Sequence, residues 1–558
     1  MKILKHKNLP VLIILGLIAL MLCVNVFTER RLSRTPSTEV MNLSEVYKPT
    51  EGMASVVSNG FLSKTLALFR DGVAYLPVDI VINELNSRFY WDSTEQVLSY
   101  TTPTEIIRAR GDTTYQDKLV FVLQDDVTWV NLNYVERYTN IQVDTFASPN
   151  RVFIRSYWGS TTMAGAGSHG AAIRYKQSVK SPVISSMASG DRLTVLSQDG
   201  DWSFVYSNAG VSGYVLSEEL TDFMTVEDSG PYQQPEYTRL TLNEPVCLAW
   251  HGVYRESGVG AIEELLNNTQ GLNVVSPAWF TVADVDGNLD SFASEDYVSF
   301  VHNRGIQVWG MVENINTDRT VDMKILLSRT SSREKLVDNI INLSIHYGLD
   351  GVNVDFEGLR SSAGPGYIEF IRELSARCRT AGLILSVDNY VPSQWTEFYN
   401  RKEQGVVADY VIVMSYDEHY TGTDPGSTAS LPFVKRGIED TLKEVPAEKL
   451  INAVPFYTRV WTTSNGVVTS AILTMSEANQ FLINHSLRTR WLEDIAQNYA
   501  ETVENGMEYK IWMEDAASLK ARLDLMKEEG IKGIAAWKLG RETSDIWPLI
   551  AEYNRENR

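Results

Sequence analysis

The chain has 558 residues, of which 44% are hydrophobic and 22% are charged. This length and composition fit about three or four globular domains with ordinary hydrophobic cores. The 70 acidic residues outnumber the 50 basic ones, and the net charge of −20 argues against nucleic acid and anionic lipid as partners. Cys247 and Cys378 lie in apolar stretches and, like Cys23, match no zinc or CxxC spacing. We therefore expect these two to be buried free thiols.

The N-terminus carries a long apolar run, from Leu9 to Phe27, preceded by three lysines. A helix over this run would be about 28 Å long, close to the hydrocarbon thickness of a bilayer, about 30 Å. No small-residue cleavage signal follows it. Residues 1–28 are therefore predicted to be an uncleaved transmembrane signal anchor, with a cleaved secretory peptide as the alternative. Because arginines at 30, 31 and 34 nearly balance the lysines, the extracellular orientation is inferred from the domains rather than from charge.

Polar residues 29–51 are typical of a spacer, and residues 52–158 contain a weak internal repeat. Tyr75–Val78 corresponds to Trp129–Leu132, and each segment precedes a predicted helix and a two-stranded hairpin. The first half resembles the small α+β module named for the N-terminus of copper amine oxidases. The segment contains no His or Cys, so a soft metal site is not expected. A stalk or a glycan-contacting module is predicted.

Residues 160–225 contain short alternating strands separated by Gly and Asp turns, which indicates a small all-β barrel. The stretch resembles a bacterial SH3-like domain, and such modules are often attached to cell-wall enzymes. Trp202 and Tyr214 are either core residues or a platform for glycan. Residues 226–240 are polar, carry two prolines and are predicted to be an interdomain linker.

In residues 241–556, strand-like apolar runs alternate with longer amphipathic stretches, the pattern of a parallel sheet. The eight predicted strands begin near Val246, Val274, Gln307, Gly351, Ile384, Tyr410, Ile451 and Gly533. Eight strand–helix units in this length predict a (β/α)₈ TIM barrel. The alternative, a doubly wound open sheet, would normally show a glycine-rich phosphate turn after an early strand, and none is present. The predicted fold class is thus α/β, with an all-β barrel, an α+β module and a transmembrane helix before the TIM barrel.

The fourth predicted strand carries the most informative pattern, Asp350-Gly-Val-Asn-Val-Asp-Phe-Glu357. Because strand side chains alternate between faces, Asn353, Asp355 and Glu357 point one way and the apolar residues point the other way. Two carboxylates and an amide inside a barrel are costly unless they function there. Glu357 also ends its strand, where TIM barrels place their active sites. The alternative is a structural carboxylate cluster that caps the barrel.

This strand resembles the DxxDxDxE signature of glycoside hydrolase family 18, the chitinase-like family. The resemblance extends over residues 244–552. Further segments match the family in order, namely Ser276–Phe280, Met414–Asp417, Pro455–Tyr457 and Ala535–Trp537. The segment from Trp512 to Leu519 is similar to the spore-cortex and cell-wall N-acetylglucosaminidase-like branch.

The resemblance implies a retaining reaction assisted by the acetamido group of the substrate, with no metal or organic cofactor. Glu357 would protonate the leaving oxygen, Asp355 would orient the acetamide, and Tyr416 would stabilise the intermediate. The implied substrate-binding residues are Trp537, Asn353, Asp417, Tyr457, Trp279 and Arg459. Of these, Trp537, Tyr457 and Trp279 would stack on sugar rings, and Asp417 and Arg459 would contact the glycan at the rim. The family more often has aspartate where this chain has Asn353, and an amide cannot share a proton with Asp355.

Two classes of function remain open at this stage. The first is an extracellular, membrane-anchored hydrolase of β-linked N-acetylglucosamine polymers, either peptidoglycan or chitin-like, held at the cell wall by the SH3-like domain. The second is a lectin-like glycan-binding protein on a hydrolase scaffold. Glu357 favours the enzyme, because lectin-like relatives typically lose the acid. A role in sporulation or germination through the same chemistry as the first is a further hypothesis.

Overall fold

The computed structural model describes Met21, residues 35–315 and residues 320–558, and its chain divides into two compact units. Of the described residues, Arg88–Ala109 and those from Pro235 to Arg558 form the barrel unit, and those before Arg88 together with Arg110–Gln234 form the N-terminal unit. Within the described residues, no helix combines the length and apolar character needed to cross a membrane. Apart from Met21, the predicted anchor at 1–28 lies outside these residues.

Eight parallel strands form the centre of the barrel unit. They are β1 (Cys247–His251), β2 (Val274–Val282), β3 (Gln307–Glu313), β4 (Gly351–Asp355), β5 (Ile384–Tyr390), β6 (Tyr410–Met414), β7 (Leu450–Pro455) and β8 (Gly533–Trp537). Each strand pairs with the next, and β1 pairs with both β2 and β8, so the sheet closes into a barrel. All eight begin within one residue of the predicted starts, which confirms the barrel. The open doubly wound alternative is wrong.

Helices follow the strands and cover the outside of the barrel. They are Ile262–Leu266, Glu295–His302, Met323–Ser328, Thr330–Tyr347, Gly364–Ala381, Arg401–Val407, Leu431–Leu442, Ala516–Glu528 and Trp547–Glu556. Short 3₁₀ turns span Glu256–Ala261, Ser361–Ala363, Gln394–Tyr399, Ala447–Lys449 and Ser544–Ile546. The two longest helices end at Gly348 and Gly382, whose positive φ angles of 67° and 72° suit the left-handed cap of a helix C-terminus.

Strand alternation divides the apolar side chains of the barrel between two layers. Trp309, Met311 and Ile412 belong to a cluster that fills the barrel interior. Val308, Val312 and their counterparts on the other strands pack against the helices in a larger outer cluster. Cys247 and Cys378 are buried free thiols in this outer layer, as predicted.

A subdomain that the sequence analysis did not anticipate is inserted between β7 and the helix Ala516–Glu528. Its five antiparallel strands are Tyr457–Ser464, Val467–Thr474, Arg490–Leu492, Gln497–Glu504 and Met507–Trp512, and its helix is Met475–Asn484. The segment begins directly after the end of β7, so it starts at the mouth of the barrel.

Residues 88–109 belong to the barrel unit although they lie far upstream in sequence. Their strands Phe89–Asp92, Val97–Thr101 and Ile106–Ala109 form a small antiparallel sheet, here called the hairpin sheet. Arg108 forms an ion pair with the fully buried Glu373 at 3.3 Å, and Thr101 Oγ1 donates to Glu369 Oε1 at 3.0 Å. Both glutamates lie on the barrel helix Gly364–Ala381. The predicted module at 52–158 is therefore divided between the two units.

The N-terminal unit contains two seven-stranded sheets. The first has the strand order Gln142–Phe146, Arg151–Arg155, Met53–Ser58, Phe61–Arg70, Val73–Pro77, Val127–Asn131 and Phe121–Gln124. The second has the order Val183–Met187, Ala171–Arg174, Val211–Leu216, Trp202–Ser207, Arg192–Asp199, Gly159–Ala166 and Leu220–Asp228. Shorter elements are the helices Leu43–Tyr47, Val78–Ile80 and Leu132–Glu136, a π-helical turn at Val81–Leu85, a 3₁₀ turn at Ser217–Glu219, and the strands Thr114–Tyr115 and Lys118–Leu119.

The predicted repeat has the expected local structure in both halves, a strand, a helical turn and a hairpin. The second sheet makes residues 160–225 an all-β region, and the likeness of this region to SH3 domains stays a prediction, as does the amine-oxidase-like resemblance. Trp202 and Tyr214 are both half-buried. The predicted spacer at 29–51 includes a packed segment, because Tyr47 is buried and its ring lies 6.3 Å from that of Phe153.

Asp92 of the hairpin sheet supplies the missing cap of a barrel helix, and its removal is expected to destabilise the barrel unit. Its Oδ2 accepts from the backbone N–H of Thr330 at 2.6 Å and from the Thr330 hydroxyl at 2.8 Å. Asp92→Ala leaves these buried donors unpaired, so we expect a loss of about 1–3 kcal/mol in the free energy of unfolding. Urea unfolding of the full chain, followed by tryptophan fluorescence, measures this loss.

Glu105→Ala, which changes an exposed carboxylate near the same sheet, is the matched control and should leave the midpoint unchanged. Equal midpoints for Asp92→Ala and the unmodified chain would show that the hairpin sheet does not support the barrel.

Candidate active site

A cavity of about 740 Å³ opens at the C-terminal ends of the barrel strands. Three carboxyl residues, Glu313, Asp355 and Glu357, line it together with Tyr254 and Trp537. A cavity of this size is large enough for a small organic ligand or a segment of a polymer. Its acidic lining and its position at the barrel mouth make it the candidate active site.

The side chains of β4 pass from the barrel interior to this cavity. Asn353 is 0% exposed, Asp355 is 6% exposed and Glu357 is half-buried, so the three stand at successive depths. Glu357 lies two residues beyond the strand, and Asn314 holds its backbone on both sides. The N–H of Glu357 donates to Asn314 Oδ1 at 2.7 Å, and Asn314 Nδ2 donates to the Glu357 carbonyl at 2.8 Å. The carboxyl therefore projects from a fixed backbone position.

The surroundings of Glu357 favour its neutral form. Burial raises its pKa, and the nearby charge of Asp417 raises it further. A hydrogen bond from the Tyr390 hydroxyl acts in the opposite direction, because it stabilises the carboxylate. The same hydroxyl accepts from the N–H of Gly358 at 3.1 Å. Glu357 thus keeps its proton to a higher pH than an ordinary glutamate, as a proton donor must.

Asp355 and Tyr416 share this environment. Burial raises the pKa of Asp355 well above its usual range, and the charges of Glu357, Asp388 and Glu313 add to the effect. Burial also raises the pKa of Tyr416, followed by the charges of Asp355 and Glu357. The structure therefore brings together the three residues to which the sequence analysis gave catalytic roles.

Asn353 has a different place from the one predicted. Its Oδ1 accepts from Trp250 Nε1 at 2.8 Å and from the Ser276 hydroxyl at 3.1 Å. Its Nδ2 donates to the Ser386 hydroxyl at 2.9 Å and to Asp388 Oδ1 at 2.8 Å. With its amide fully used and its side chain inaccessible, Asn353 cannot contact a substrate. The prediction that it binds substrate is wrong, because the residue lies one layer too deep in the barrel.

Trp279 also departs from its predicted role as a sugar platform. Its side chain is 0% exposed and packs edge-on against Tyr297, with ring centres 4.8 Å apart. The register of β2 against β3 shifts between Ala278 and Phe280, which marks a β-bulge at Trp279. The bulge breaks the alternation, so that Trp279 and Phe280 both join the outer layer. Trp279 therefore supports the barrel wall and offers no face to a ligand.

The remaining predicted residues form a half-buried platform and a hydrogen-bonded rim. Trp537 is half-buried and lines the cavity, and its ring lies 5.8 Å from that of Trp250. The exposed Asp417 accepts from the Tyr457 hydroxyl at 2.6 Å and from Arg459 Nη2 at 3.3 Å. Tyr457 is 2% exposed, so its predicted stacking on sugar is wrong. It begins the first strand of the inserted subdomain, where its hydroxyl orients Asp417.

Several residues of the site were missed by the sequence analysis. Burial raises the pKa of Glu313 to about 7 and lowers that of Lys538 to about 8. Lys538 Nζ lies 4.7 Å from the centre of the Tyr254 ring. Side chains alternate between the two faces of β3 and β5 as they do in β4, and this alternation predicts that Glu313 and Asp388 point into the barrel. No sequence signal marked Lys538. Across the described residues, no group of His, Cys, Asp and Glu side chains is arranged to hold a metal ion.

Comparisons with known proteins agree with this geometry. The profile of "Glycosyl hydrolases family 18" matches residues 265–542. The chain is 26% identical over 243 residues to the cortical fragment-lytic enzyme of Bacillus subtilis (strain 168), a stretch that covers 41% of this chain and 55% of that enzyme. The chain spans about half the length of two of the curated relatives that it matches, at 52% and 55%.

Two solved structures resemble the barrel. A chitinase from Chromobacterium violaceum ATCC 12472 superimposes with a TM-score of 0.51 at 22% identity, over 56% of this chain and 100% of that chain. The spore cortex-lytic enzyme SleL of Bacillus megaterium QM B1551 superimposes with a TM-score of 0.50 at 21% identity, over 62% of this chain and 77% of that chain. At these identities the likeness is evidence of the fold alone. The matched profile establishes that this chain contains a domain of glycosyl hydrolases family 18.

Proposed function

We propose that this protein is a glycosidase that cleaves β-linked N-acetylglucosamine-containing glycans, with Glu357 as the proton donor. The observation that carries the proposal is the state of Glu357, a half-buried carboxyl with a raised pKa at the mouth of a family 18 barrel. A general acid must be protonated at the working pH and must reach the leaving oxygen. Burial favours the protonated form of Glu357, and its place in the cavity lets it reach a bound ligand.

The reaction follows from the groups around Glu357. Glu357 protonates the glycosidic oxygen, while the acetamide oxygen of the substrate attacks the anomeric carbon from the opposite face. Asp355 accepts a hydrogen bond from the acetamide N–H, and the Tyr416 hydroxyl donates to the acetamide oxygen. Glu357 then removes a proton from the water that opens the cyclic intermediate, so the configuration is retained. Trp537 offers an apolar face for the sugar ring that is being cleaved.

Bacterial peptidoglycan is the favoured substrate, with chitin-like polymers second. The similarity to a cortical fragment-lytic enzyme supports this order, because that name describes an enzyme acting on fragments of spore cortex. Incubation with purified peptidoglycan and with chitin fragments, followed by mass spectrometry of the products, distinguishes the two. N-acetylglucosamine reducing ends from peptidoglycan alone would support the order given, and release from chitin alone would reverse it.

We also place this activity outside the cell, tethered to the membrane by residues 1–28. The apolar run from Leu9 to Phe27 supports the tether, and the SH3-like resemblance of residues 160–225 supports contact with the wall. Fractionation of cells that make the full chain, with protease added to intact cells, tests both points. A full-length chain in the membrane fraction that protease degrades is expected. A soluble or protected chain would refute the proposed location.

Glu357→Gln should abolish turnover and leave binding intact. The amide keeps the size of the side chain but has no proton to give, so kcat should fall by at least about 10²–10⁴-fold while the affinity for N-acetylglucosamine oligosaccharides changes little. Oligosaccharide hydrolysis and calorimetric binding by the full chain measure the two quantities. Glu264→Gln, an exposed glutamate on a barrel helix, is the matched control.

Equal activity of Glu357→Gln and the unmodified chain would eliminate the assigned acid. Binding without turnover in both chains would identify the protein as a lectin instead.

Two conservative variants should move the basic limb of the pH profile in opposite directions. Activity falls as Glu357 loses its proton, so this limb follows the Glu357 pKa. Tyr390→Phe removes a hydrogen bond that lowers this pKa, and the limb should move to higher pH. Asp417→Asn removes a negative charge that raises it, and the limb should move to lower pH. The pH dependence of kcat/KM measures both shifts. Shifts in the same direction, or none, would contradict the electrostatic account of Glu357.

A further inference from the structure

A second buried carboxyl stands beside Asp355 on the neighbouring strand. Asp388 of β5 is 2% exposed. In the register of β4 against β5, Asn353 pairs with Ser386 and Val354 with Val387. The next positions along this register are Asp355 and Asp388, on strands that lie about 4.8 Å apart in a parallel sheet. The two carboxyls are therefore immediate neighbours inside the barrel.

Each of the two carboxyl groups, those of Asp355 and Asp388, has one buried oxygen without a hydrogen-bond partner in the part of the chain that the structure describes. Asp388 Oδ1 accepts from Asn353 Nδ2 at 2.8 Å. Asp388 Oδ2 and Asp355 Oδ1 are both buried, and neither has a hydrogen-bond partner among the described residues. A buried polar atom without a partner is costly. A single proton held between these two oxygens would satisfy both atoms.

Electrostatic repulsion between Asp355 and Asp388 also favours a single proton held between them. Two buried carboxylates at such a distance cannot both ionise, because their repulsion is barely screened. The ionisable groups that face the pair from neighbouring elements are two acids, Glu313 of β3 and Glu357 after β4, and four phenols, those of Tyr254, Tyr367, Tyr399 and Tyr416. The phenols are neutral, and the two acids oppose a second negative charge on the pair.

We propose that Asp388 is a positioning residue that shares one proton with Asp355 and hands the charge to Asp355 when substrate binds. This inference rests on the proposed function. As the acetamide N–H of the substrate approaches Asp355, the shared proton moves onto Asp388 Oδ2, and Asp355 becomes the carboxylate that accepts the N–H. No proton enters or leaves the pair. Asn353 cannot take the proton, because an amide only donates and accepts hydrogen bonds. It holds Asp388 in place instead.

Asp388→Asn tests the role of Asp388 in the full chain acting on N-acetylglucosamine oligosaccharides. The amide still accepts from Asn353, but it cannot take the proton from Asp355. We expect kcat to fall by about 10- to 100-fold with little change in KM, because the acetamide is less well oriented. The acidic limb of kcat/KM should also move to higher pH, since Asp355 must then lose its proton to solvent instead of passing it to Asp388.

Two further variants separate this role from a structural one. The double variant Asn353→Asp/Asp388→Asn moves the carboxyl to the adjacent strand position and should recover part of kcat. Asp409→Asn removes another buried carboxyl, which lies before β6 and accepts from the backbone N–H of Leu385 at 2.9 Å. It is the matched control and should leave the acidic limb unchanged. A kcat and an acidic limb of Asp388→Asn equal to those of the unmodified chain would overturn the proposal.

Infrared spectroscopy tests the shared proton without any activity. The double variant Asp355→Asn/Asp388→Asn should remove the carbonyl band of only one protonated carboxyl, because the pair holds a single proton. Loss of two such bands in the double variant would show that each residue keeps its own proton, which refutes sharing. If the unmodified chain shows no turnover but the double variant loses a single band, the proposed function fails while the shared proton stands.

Discussion

The closure of the barrel is the constraint on which the rest of this structure depends. Once β1 pairs with both β2 and β8, every inward-facing side chain of eight strands enters one narrow space. Apolar residues fill most of it, so the few polar side chains are forced into contact with one another. Four acidic residues, Glu313, Asp355, Glu357 and Asp388, meet there within the reach of each other's charges. Their raised pKa values follow from this crowding and from burial.

The polar side chains of the barrel lie at different depths, and the depth of each one decides whether it can reach a ligand in the cavity. Asn353 lies deepest and acts as a hydrogen-bonding hub, Asp355 and Asp388 lie above it, and Glu357 reaches the cavity. A carboxyl that reaches the cavity can exchange a proton with a ligand. Asp355 also lines the cavity and can accept a hydrogen bond from a ligand, whereas the deeper Asp388 can only adjust the charge and orientation of its neighbours. One alternating strand and its neighbour thus supply both the acid and its supporting groups.

The barrel depends in turn on a segment from far upstream. The hairpin sheet brings Arg88 and Arg108 to helix carboxylates that also bind Arg372 and Arg333. Buried ions require partners, since an unpaired buried charge costs several kcal/mol. Arg88 and Arg108 therefore add a second cationic partner to two largely buried glutamates, Glu403 of the helix Arg401–Val407 and Glu373 of the helix Gly364–Ala381. The matched family profile covers residues 265–542, and the compact barrel unit includes residues 88–109 as well.

The sequence by itself determined those features that depend on local periodicity. The eight strand starts, the alternating β4 motif and the placement of Glu357 at a strand end all follow from side-chain alternation, which any strand obeys. The same rule, carried to β3 and β5, would have located Glu313 and Asp388. Tertiary structure alone decided the features that need long-range pairing. A bulge turned Trp279 outward, an inserted sheet buried Tyr457, and the two similar hairpins of the N-terminal repeat joined different units. These outcomes depend on which surfaces meet in space, and that information is absent from the spacing of residues along one strand.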